Sequence, residues 1–118
     1  RKTWEDPHMP TPLKSRVNVL ITNNESSLFP GADSYINKNI NQQIHELQNK
    51  YIDKDIFIIG GSQIIKLTID TIQEFYLTRI YGNYDCEKFL DISMITNNMK
   101  LTKKIKGDKS CHFEIWKR

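Results

Sequence analysis

The feature that most constrains this fold is the segment Asp55-Ile56-Phe57-Ile58-Ile59, which runs directly into Gly60-Gly61-Ser62. A continuous apolar run of this kind is typical of a β-strand that is covered on both faces. Helically spaced apolar residues then begin a short helix; they are Ile64, Ile65 and Leu67. A strand, a glycine turn and a helix start in succession predict an α/β unit, in which N–H groups at the helix start point toward the turn.

The residues before this unit predict a loop, two strands and a helix. Three prolines within residues 7–12 exclude a helix and indicate a surface loop. Residues 16–22 are β-branched and apolar and predict a strand, and residues 34–36 predict a second, short one. In residues 40–49 the apolar side chains recur at helical spacing on a polar background, which predicts an amphipathic helix.

The residues after the unit predict strands. Residues 74–81 predict a strand at the centre of the sheet. Residues 99–105 and 112–116 flank Gly107-Asp108-Lys109 and predict a closing antiparallel hairpin. Strands that alternate first with helices and then with turns indicate an α/β fold with a mixed sheet.

Length and charge limit the classes of function. A chain of 118 residues predicts a single domain over residues 1–118, because half of it would be short of core. Seventeen basic residues against 14 acidic ones give a net charge of +3, and the acids are interspersed, so we expect no nucleic-acid partner. No apolar run approaches the roughly 20 residues of a membrane span, and no signal peptide is visible. We therefore expect a cytoplasmic protein without a membrane partner.

Cysteine and histidine spacing predicts no metal site. The two cysteines, Cys86 and Cys111, stand far apart without a CxxC pattern, and one disulfide between them remains open. The three histidines lie in a predicted loop, helix and strand.

Four features could carry chemistry, and each has an ordinary structural interpretation beside it. Gly60-Gly61 would let a ligand phosphate approach the backbone, or would only form a tight turn. Arg1-Lys2-Thr3 could clamp a phosphate, or could be a solvated chain start. Arg16 could meet a carboxylate with two parallel hydrogen bonds, or could be an ordinary surface residue. Thr78, predicted to be buried among apolar neighbours, could bond a ligand or only the backbone.

The order of several segments carries more information than any one of them. The segments are Arg1-Lys2-Thr3-Trp4-Glu5, Pro12-Leu13-Lys14-Ser15-Arg16-Val17-Asn18, Ile58-Ile59-Gly60-Gly61-Ser62, Phe75-Tyr76-Leu77-Thr78-Arg79-Ile80 and Phe113-Glu114-Ile115. Taken in this order, they resemble the dihydrofolate reductase family over essentially the whole chain. The segment Tyr84-Asp85-Cys86-Glu87-Lys88-Phe89 is similar to the eukaryotic or bifunctional forms that are fused to thymidylate synthase.

The resemblance implies a fold and an activity. The fold is a mixed, eight-stranded β-sheet flanked by helices. The activity is the NADPH-dependent reduction of dihydrofolate to tetrahydrofolate, an oxidoreductase step of one-carbon and thymidylate metabolism. The implied partners are dihydrofolate, antifolate inhibitors, and a fused or separate thymidylate synthase.

The resemblance also implies site residues. Arg1, Lys2 and Thr3 would contact the 2′-phosphate and pyrophosphate of NADPH, and Gly60 and Gly61, joined by a cis peptide, would lie beside its nicotinamide and pyrophosphate. The further implied cofactor-binding residues are Ile21, Thr22, Asn23, Lys38, Ser62, Gln63, Ile64 and Ile65. On the substrate side, Leu13 and Arg16 would lie at the folate, with Arg16 on the α-carboxylate of its glutamate tail. Ile59 would lie against the pterin, and the Thr78 hydroxyl would bond both the pterin and the catalytic acid.

The family's first strand, its nicotinamide loop and the helix with the catalytic Asp or Glu all precede the position of Arg1. The resemblance therefore implies a domain that is incomplete at its N-terminus, with no catalytic residue of its own and no turnover when isolated. Two alternatives stay open. One is the related pyrimidine reductase of riboflavin biosynthesis, and the other is a truncated, non-catalytic nucleotide-binding module.

Overall fold

The helices and strands are those of a computed structural model, which describes residues 2–23, 30–82, 84 and 90–118, with Lys2 described by its backbone alone. The chain divides into two units, Arg1–Gly61 and Ser62–Arg118. The prediction of one domain over the whole chain stays a prediction.

In the first unit, two helices accompany a pair of parallel strands. Helix α1 covers Lys2–Glu5 and is followed by the predicted proline-rich loop of turns and bends. Strands β1 (Val19–Ile21) and β2 (Ser34–Ile36) pair in parallel. Helix α2 (Ile40–Lys50) confirms the predicted amphipathic helix, whose Ile44 is buried. Leu20 in β1 and Ile36 in β2 are the other buried apolar side chains among the described residues of this unit.

The strand predicted over residues 16–22 is confirmed only in its middle part. It covers Val19–Ile21, and the side chain of the preceding residue, Asn18, bonds backbone groups of the loop. Arg16 therefore lies in a bend before the strand and does not open it.

The strand predicted over residues 55–59 is wrong. These residues form no strand, and Ile56, Phe57 and Ile59 have exposed fractions of 37%, 72% and 57%. An apolar run becomes a strand only when a neighbouring strand accepts its backbone hydrogen bonds. Neither the parallel pair nor the antiparallel sheet of the described residues includes this run.

The second unit is built on a three-stranded antiparallel sheet. Its elements in chain order are α3 (Ser62–Thr68), a 3-10 turn (Ile69–Thr71), β3 (Glu74–Ile80), α4 (Ser93–Thr96), β4 (Lys100–Lys106) and β5 (Cys111–Lys117). The helix predicted after Gly61 and the closing hairpin are both confirmed. The sheet order is β3-β5-β4, so the predicted central place of residues 74–81 is wrong for the described sheet, in which β5 is central. Parallel and antiparallel strand pairs that alternate with helices agree with the predicted α/β class.

The core of the second unit lies on one face of this sheet. Ile69, Ile95 and Met99 form its buried cluster, against which the half-buried Phe75 and Trp116 pack. Phe75 and Trp116 are cross-strand partners of β3 and β5, so they share a face. In the described residues no helix is both long and apolar enough to cross a membrane.

Candidate functional site

The glycine pair of the first unit lies beside the first helix. Gly60 has a φ of +128°, a conformation that favours glycine, and its peptide bond to Gly61 is cis, as the resemblance implies. A Cβ built on Gly60 would lie 3.3 Å from Oγ1 of Thr3, whereas a Cβ on Gly61 would have no atom of the described residues within 4 Å. The fold therefore brings Thr3 and Gly60 together, and no described side chain of the first unit crowds Gly61.

The carboxyl ends of the two parallel strands carry the residues that the resemblance assigns to the adenosine side of the cofactor. Ile21, half-buried, ends β1 and pairs with Ile36, the last residue of β2. Buried Thr22 follows, and its N–H donates to the carbonyl of Ile36 at 2.9 Å. Asn23 and Lys38 each lie two residues beyond the end of their strand, β1 and β2 respectively, and both are exposed. Because parallel strands end at the same edge, these polar groups share the edge at which open α/β sheets bind ligands.

The predicted folate-side residues Leu13 and Arg16 are held by one asparagine. The N–H of Leu13 donates to Oδ1 of Asn18 at 2.8 Å, and Nδ2 of Asn18 donates to the carbonyls of Leu13 at 2.8 Å and Arg16 at 3.0 Å. Leu13 is half-buried and Arg16 is exposed. Among the described residues, the Arg16 guanidinium forms neither an ion pair nor a hydrogen bond.

Asn18 is also hydrogen-bonded to Asp33, the residue directly before β2. Its backbone N–H donates to Oδ2 of Asp33 at 2.6 Å, and the N–H of Asp33 donates to its carbonyl at 2.7 Å. Our reading of the sequence missed Asn18 and Asp33, since nothing in their spacing shows which backbone groups they meet.

The predicted site residues of α3 begin the second unit. Ser62, Ile64 and Ile65 are half-buried, and Gln63 is exposed. The hydroxyl of Thr68, which is fully buried, donates to the carbonyl of Ile64 at 2.7 Å. This bond back to the preceding turn gives the buried hydroxyl a partner at the end of the helix that carries these residues.

Thr78 lies at an exposed position, so the buried hydroxyl expected from the sequence is wrong. Burial alternates along β3, and Thr78 shares the exposed face with Tyr76 and Ile80. Its cross-strand partner is Phe113, which is 41% exposed. The apolar neighbours in sequence suggested burial, but the period of two in a strand places alternate side chains on opposite faces.

A hydrogen-bonded cluster on the opposite face surrounds Glu114, which is only 7% exposed. Its Oε2 lies 2.6 Å from Nε2 of His112, and its Oε1 accepts from Nε1 of Trp116 at 2.8 Å. Arg79, across the strand pair, places Nε 3.4 Å from the carboxylate. Oη of Tyr81 lies 2.8 Å from Nδ1 of His112 and extends the chain of polar groups.

The pKa of Glu114 reflects this environment. Burial acts to raise it, but the hydrogen bonds from His112 and Trp116 and the charge of Arg79 outweigh burial, so the pKa lies below its ordinary value of 4.5. Residues 112, 114 and 116 alternate along one strand, which was a sequence signal for a shared face. The position of Arg79 opposite them depends on the strand register.

Some predicted residues lie outside the part of the chain that the structure describes. These are Arg1, the side chain of Lys2, and residues 85–89 with Cys86. Within the described ranges, no group of three or more His, Cys, Asp or Glu side chains is placed to hold a metal ion.

Comparison with known proteins decides the family. The sequence profile described as "Dihydrofolate reductase" matches residues 1–118. The chain belongs to the dihydrofolate reductase family. The resemblance drawn from the ordered motifs is thereby confirmed.

The chain is similar to members of this family from several organisms. It is 31% identical to the dihydrofolate reductase of Pneumocystis carinii over 98% of its own length, and 26% identical to that of Heliothis virescens over its whole length. It is also 27% identical, over 77% of its length, to the bifunctional dihydrofolate reductase-thymidylate synthase of Crithidia fasciculata. The chain spans 59%, 70% and 22% of these three proteins, respectively.

Proposed function

We propose that the natural protein carrying this sequence reduces dihydrofolate to tetrahydrofolate with NADPH. The observation that carries the proposal is the family match over residues 1–118. Dihydrofolate as substrate, antifolates as inhibitors and a cytoplasmic location are parts of the same proposal. So is a fused or separate thymidylate synthase, for which the Crithidia fasciculata relative is the support.

The described residues of the first unit fit a dinucleotide. A pyrophosphate needs hydrogen-bond donors and enough space to reach the backbone. Gly61 provides such space, because a Cβ there would meet no atom of the described residues within 4 Å. The hydroxyl of Thr3 lies next to Gly60 and can donate to a phosphate oxygen. Lys38 and Asn23, exposed at the ends of the parallel strands, can serve the adenosine side.

When bound, NADPH supplies the hydride for the reduction. The chain's own residues bind and orient the substrate. In the first unit, exposed Ile59 offers an apolar surface that suits a flat pterin ring. In the second unit, exposed Thr78 has a hydroxyl that can both donate and accept a hydrogen bond.

Arg16 is suited to the glutamate tail of the substrate. Its guanidinium is exposed, forms no ion pair among the described residues, and presents a planar pair of donors that matches a carboxylate. Since the tail is remote from the reacting ring, this contact stabilises the bound substrate and the transition state equally. Such uniform binding lowers KM and leaves kcat nearly unchanged.

The proposal is tested with Arg16→Leu and two substrates in the natural protein. We expect KM for dihydrofolate to rise by about one to two decades, the equivalent of a lost charge-assisted hydrogen bond of roughly 1.5–3 kcal/mol. Arg16→Lys should be nearly as harmful, because an ammonium group cannot form the planar pair. Turnover of dihydropteroate, which lacks the glutamate, should be unaffected. Lys14→Leu removes a positive charge from the same loop and is the matched control.

Two results would count against the proposal. A folded parent protein that reduces neither substrate would refute the activity itself. An equal loss for both substrates on Arg16→Leu would show that Arg16 supports the loop and does not bind the tail.

A further inference from the structure

We propose that Asn18 is a positioning residue that fixes Arg16 for the glutamate tail and so sets the preference for dihydrofolate over tail-less pterins. The inference rests on the proposed function. It concerns a residue that touches no ligand and acts only through the backbone of the loop between Leu13 and Arg16.

The first support is that the side chain of Asn18 is fully used. Its carbonyl oxygen accepts from the N–H of Leu13, and its NH₂ group donates to the carbonyls of Leu13 and Arg16, at 2.8 to 3.0 Å. Asn18 is 8% exposed, so the bonds are sheltered from water. An amide is the only ordinary side chain of this length with one acceptor and two donors, and all three groups are engaged here.

The second support is the strained residue inside the loop. Ser15 has a φ of +62°, in the left-handed region that a residue with a Cβ rarely adopts. Such a conformation persists only where surrounding contacts impose it. Asn18 supplies those contacts, because it holds Leu13 on one side of Ser15 and Arg16 on the other.

The third support is that the loop is fixed to the parallel strands. The Asn18 backbone exchanges two hydrogen bonds with Asp33, at 2.6 and 2.7 Å, directly before the paired residues Val19 and Ser34. The side chain of Asn18 therefore holds the loop, and its backbone is held by the start of β2. Arg16 is placed relative to the strand pair through one residue.

The alternative is that Asn18 stabilises the fold and nothing more. The two roles differ in which substrate they affect. A positioning role acts through Arg16 and so concerns only substrates with a glutamate tail. A purely structural role would lower the turnover of both substrates alike.

The test uses Asn18→Asp in the natural protein. A carboxylate can still accept from the N–H of Leu13, but it cannot donate to either carbonyl. We expect KM for dihydrofolate to rise about tenfold, because a binding group that is displaced by a fraction of an ångström binds its partner less well. The value of kcat should change little. KM for dihydropteroate should change by less than about twofold, which is the size of effect expected for a substitution that does not act on this substrate. Asn49→Asp makes the same exchange on exposed α2 and is the matched control.

A double-mutant cycle with Arg16→Leu gives the deciding readout. If Asn18 acts through Arg16, Asn18→Asp should add nearly nothing to KM for dihydrofolate once the guanidinium is gone. Asn18→Ser, which removes the three bonds without adding a charge, is measured in parallel in case the carboxylate prevents folding.

Each outcome decides the inference. Additive losses, equal losses for both substrates, or failure of both variants to fold cooperatively would overturn it and make Asn18 a determinant of the fold alone. If the parent turns over neither substrate, the proposed function fails and the inference with it. A parent that is active while Asn18→Asp behaves like Asn49→Asp overturns the inference alone.

Discussion

At the scale of the residue, Glu114 shows how one buried carboxylate organises a strand face. Burial of a charged group is costly unless partners compensate for the lost water. Here His112 and Trp116 contact the carboxylate from the same strand, and Arg79 does so from the neighbouring strand. Trp116 also packs on the core cluster, so the indole joins the polar group to the apolar core.

Glu114→Gln should destabilise the protein at neutral pH by roughly 1–3 kcal/mol, because partners of a buried carboxylate lose a charged acceptor. The pKa of Glu114 in the folded protein is below its ordinary value of 4.5. The stabilisation by the carboxylate is therefore complete above about 4.5 and is lost as the pH falls through the folded-state pKa. In urea unfolding, the free energies of unfolding of the parent and of Glu114→Gln should converge at pH values below the pKa of Glu114 in the folded protein.

The exposed carboxylate of Glu46 on α2 provides the control for this prediction. Glu46→Gln should change the free energy of unfolding by no more than about 0.5 kcal/mol, as surface substitutions usually do. A constant difference between parent and Glu114→Gln across the whole acid range would contradict the account.

At the scale of the element, local patterns predicted more than long-range ones. Helix α2 and the β4–β5 hairpin followed from periodicity and turn residues, which act between near neighbours in sequence. Residues 55–59 were expected to be a strand because an apolar run indicates burial. The run cannot indicate which strand would pair with it, and the described residues provide none.

The side-chain contacts of the candidate site were the least predictable part. The order of motifs led to Thr3, Arg16 and the glycine pair, and these positions could be named from the sequence. Asn18 could not, because its role depends on a loop that folds back onto it. The exposed position of Thr78 was missed for a related reason, since the face of a strand depends on its register.

The glycine pair yields a prediction with an internal control. Gly60→Ala should destabilise the protein by about 1–3 kcal/mol, because φ is +128° there and the new Cβ would lie 3.3 Å from Oγ1 of Thr3. Gly61→Ala should cost less stability, since its Cβ would meet no atom within 4 Å in the part of the chain that the structure describes. It should instead weaken NADPH binding, because the methyl group takes up the space that the proposed pyrophosphate needs. Thermal unfolding and NADPH titration of both variants measure the two effects.

The contradicting result is a reversal of this pattern. If Gly61→Ala binds NADPH as the parent does, the open side of Gly61 is not part of the cofactor site. If Gly60→Ala is as stable as the parent, the left-handed backbone is not required at that position.

At the scale of the whole molecule, the family match runs across both units of the chain, Arg1–Gly61 and Ser62–Arg118. Both units therefore belong to the part of the chain that matches the family. These relatives are named dihydrofolate reductase or bifunctional dihydrofolate reductase-thymidylate synthase, which supports the proposed folate substrate over the alternative, the pyrimidine of riboflavin biosynthesis. The proposed activity is tested most directly at this scale.

The most direct measurement is the initial rate of NADPH oxidation by the natural protein, with and without dihydrofolate. The account predicts oxidation that depends on dihydrofolate and that slows by about tenfold or more when NADH, which lacks the 2′-phosphate, replaces NADPH at subsaturating concentration. A cooperatively folded protein that oxidises NADPH at the same rate with and without dihydrofolate would contradict it.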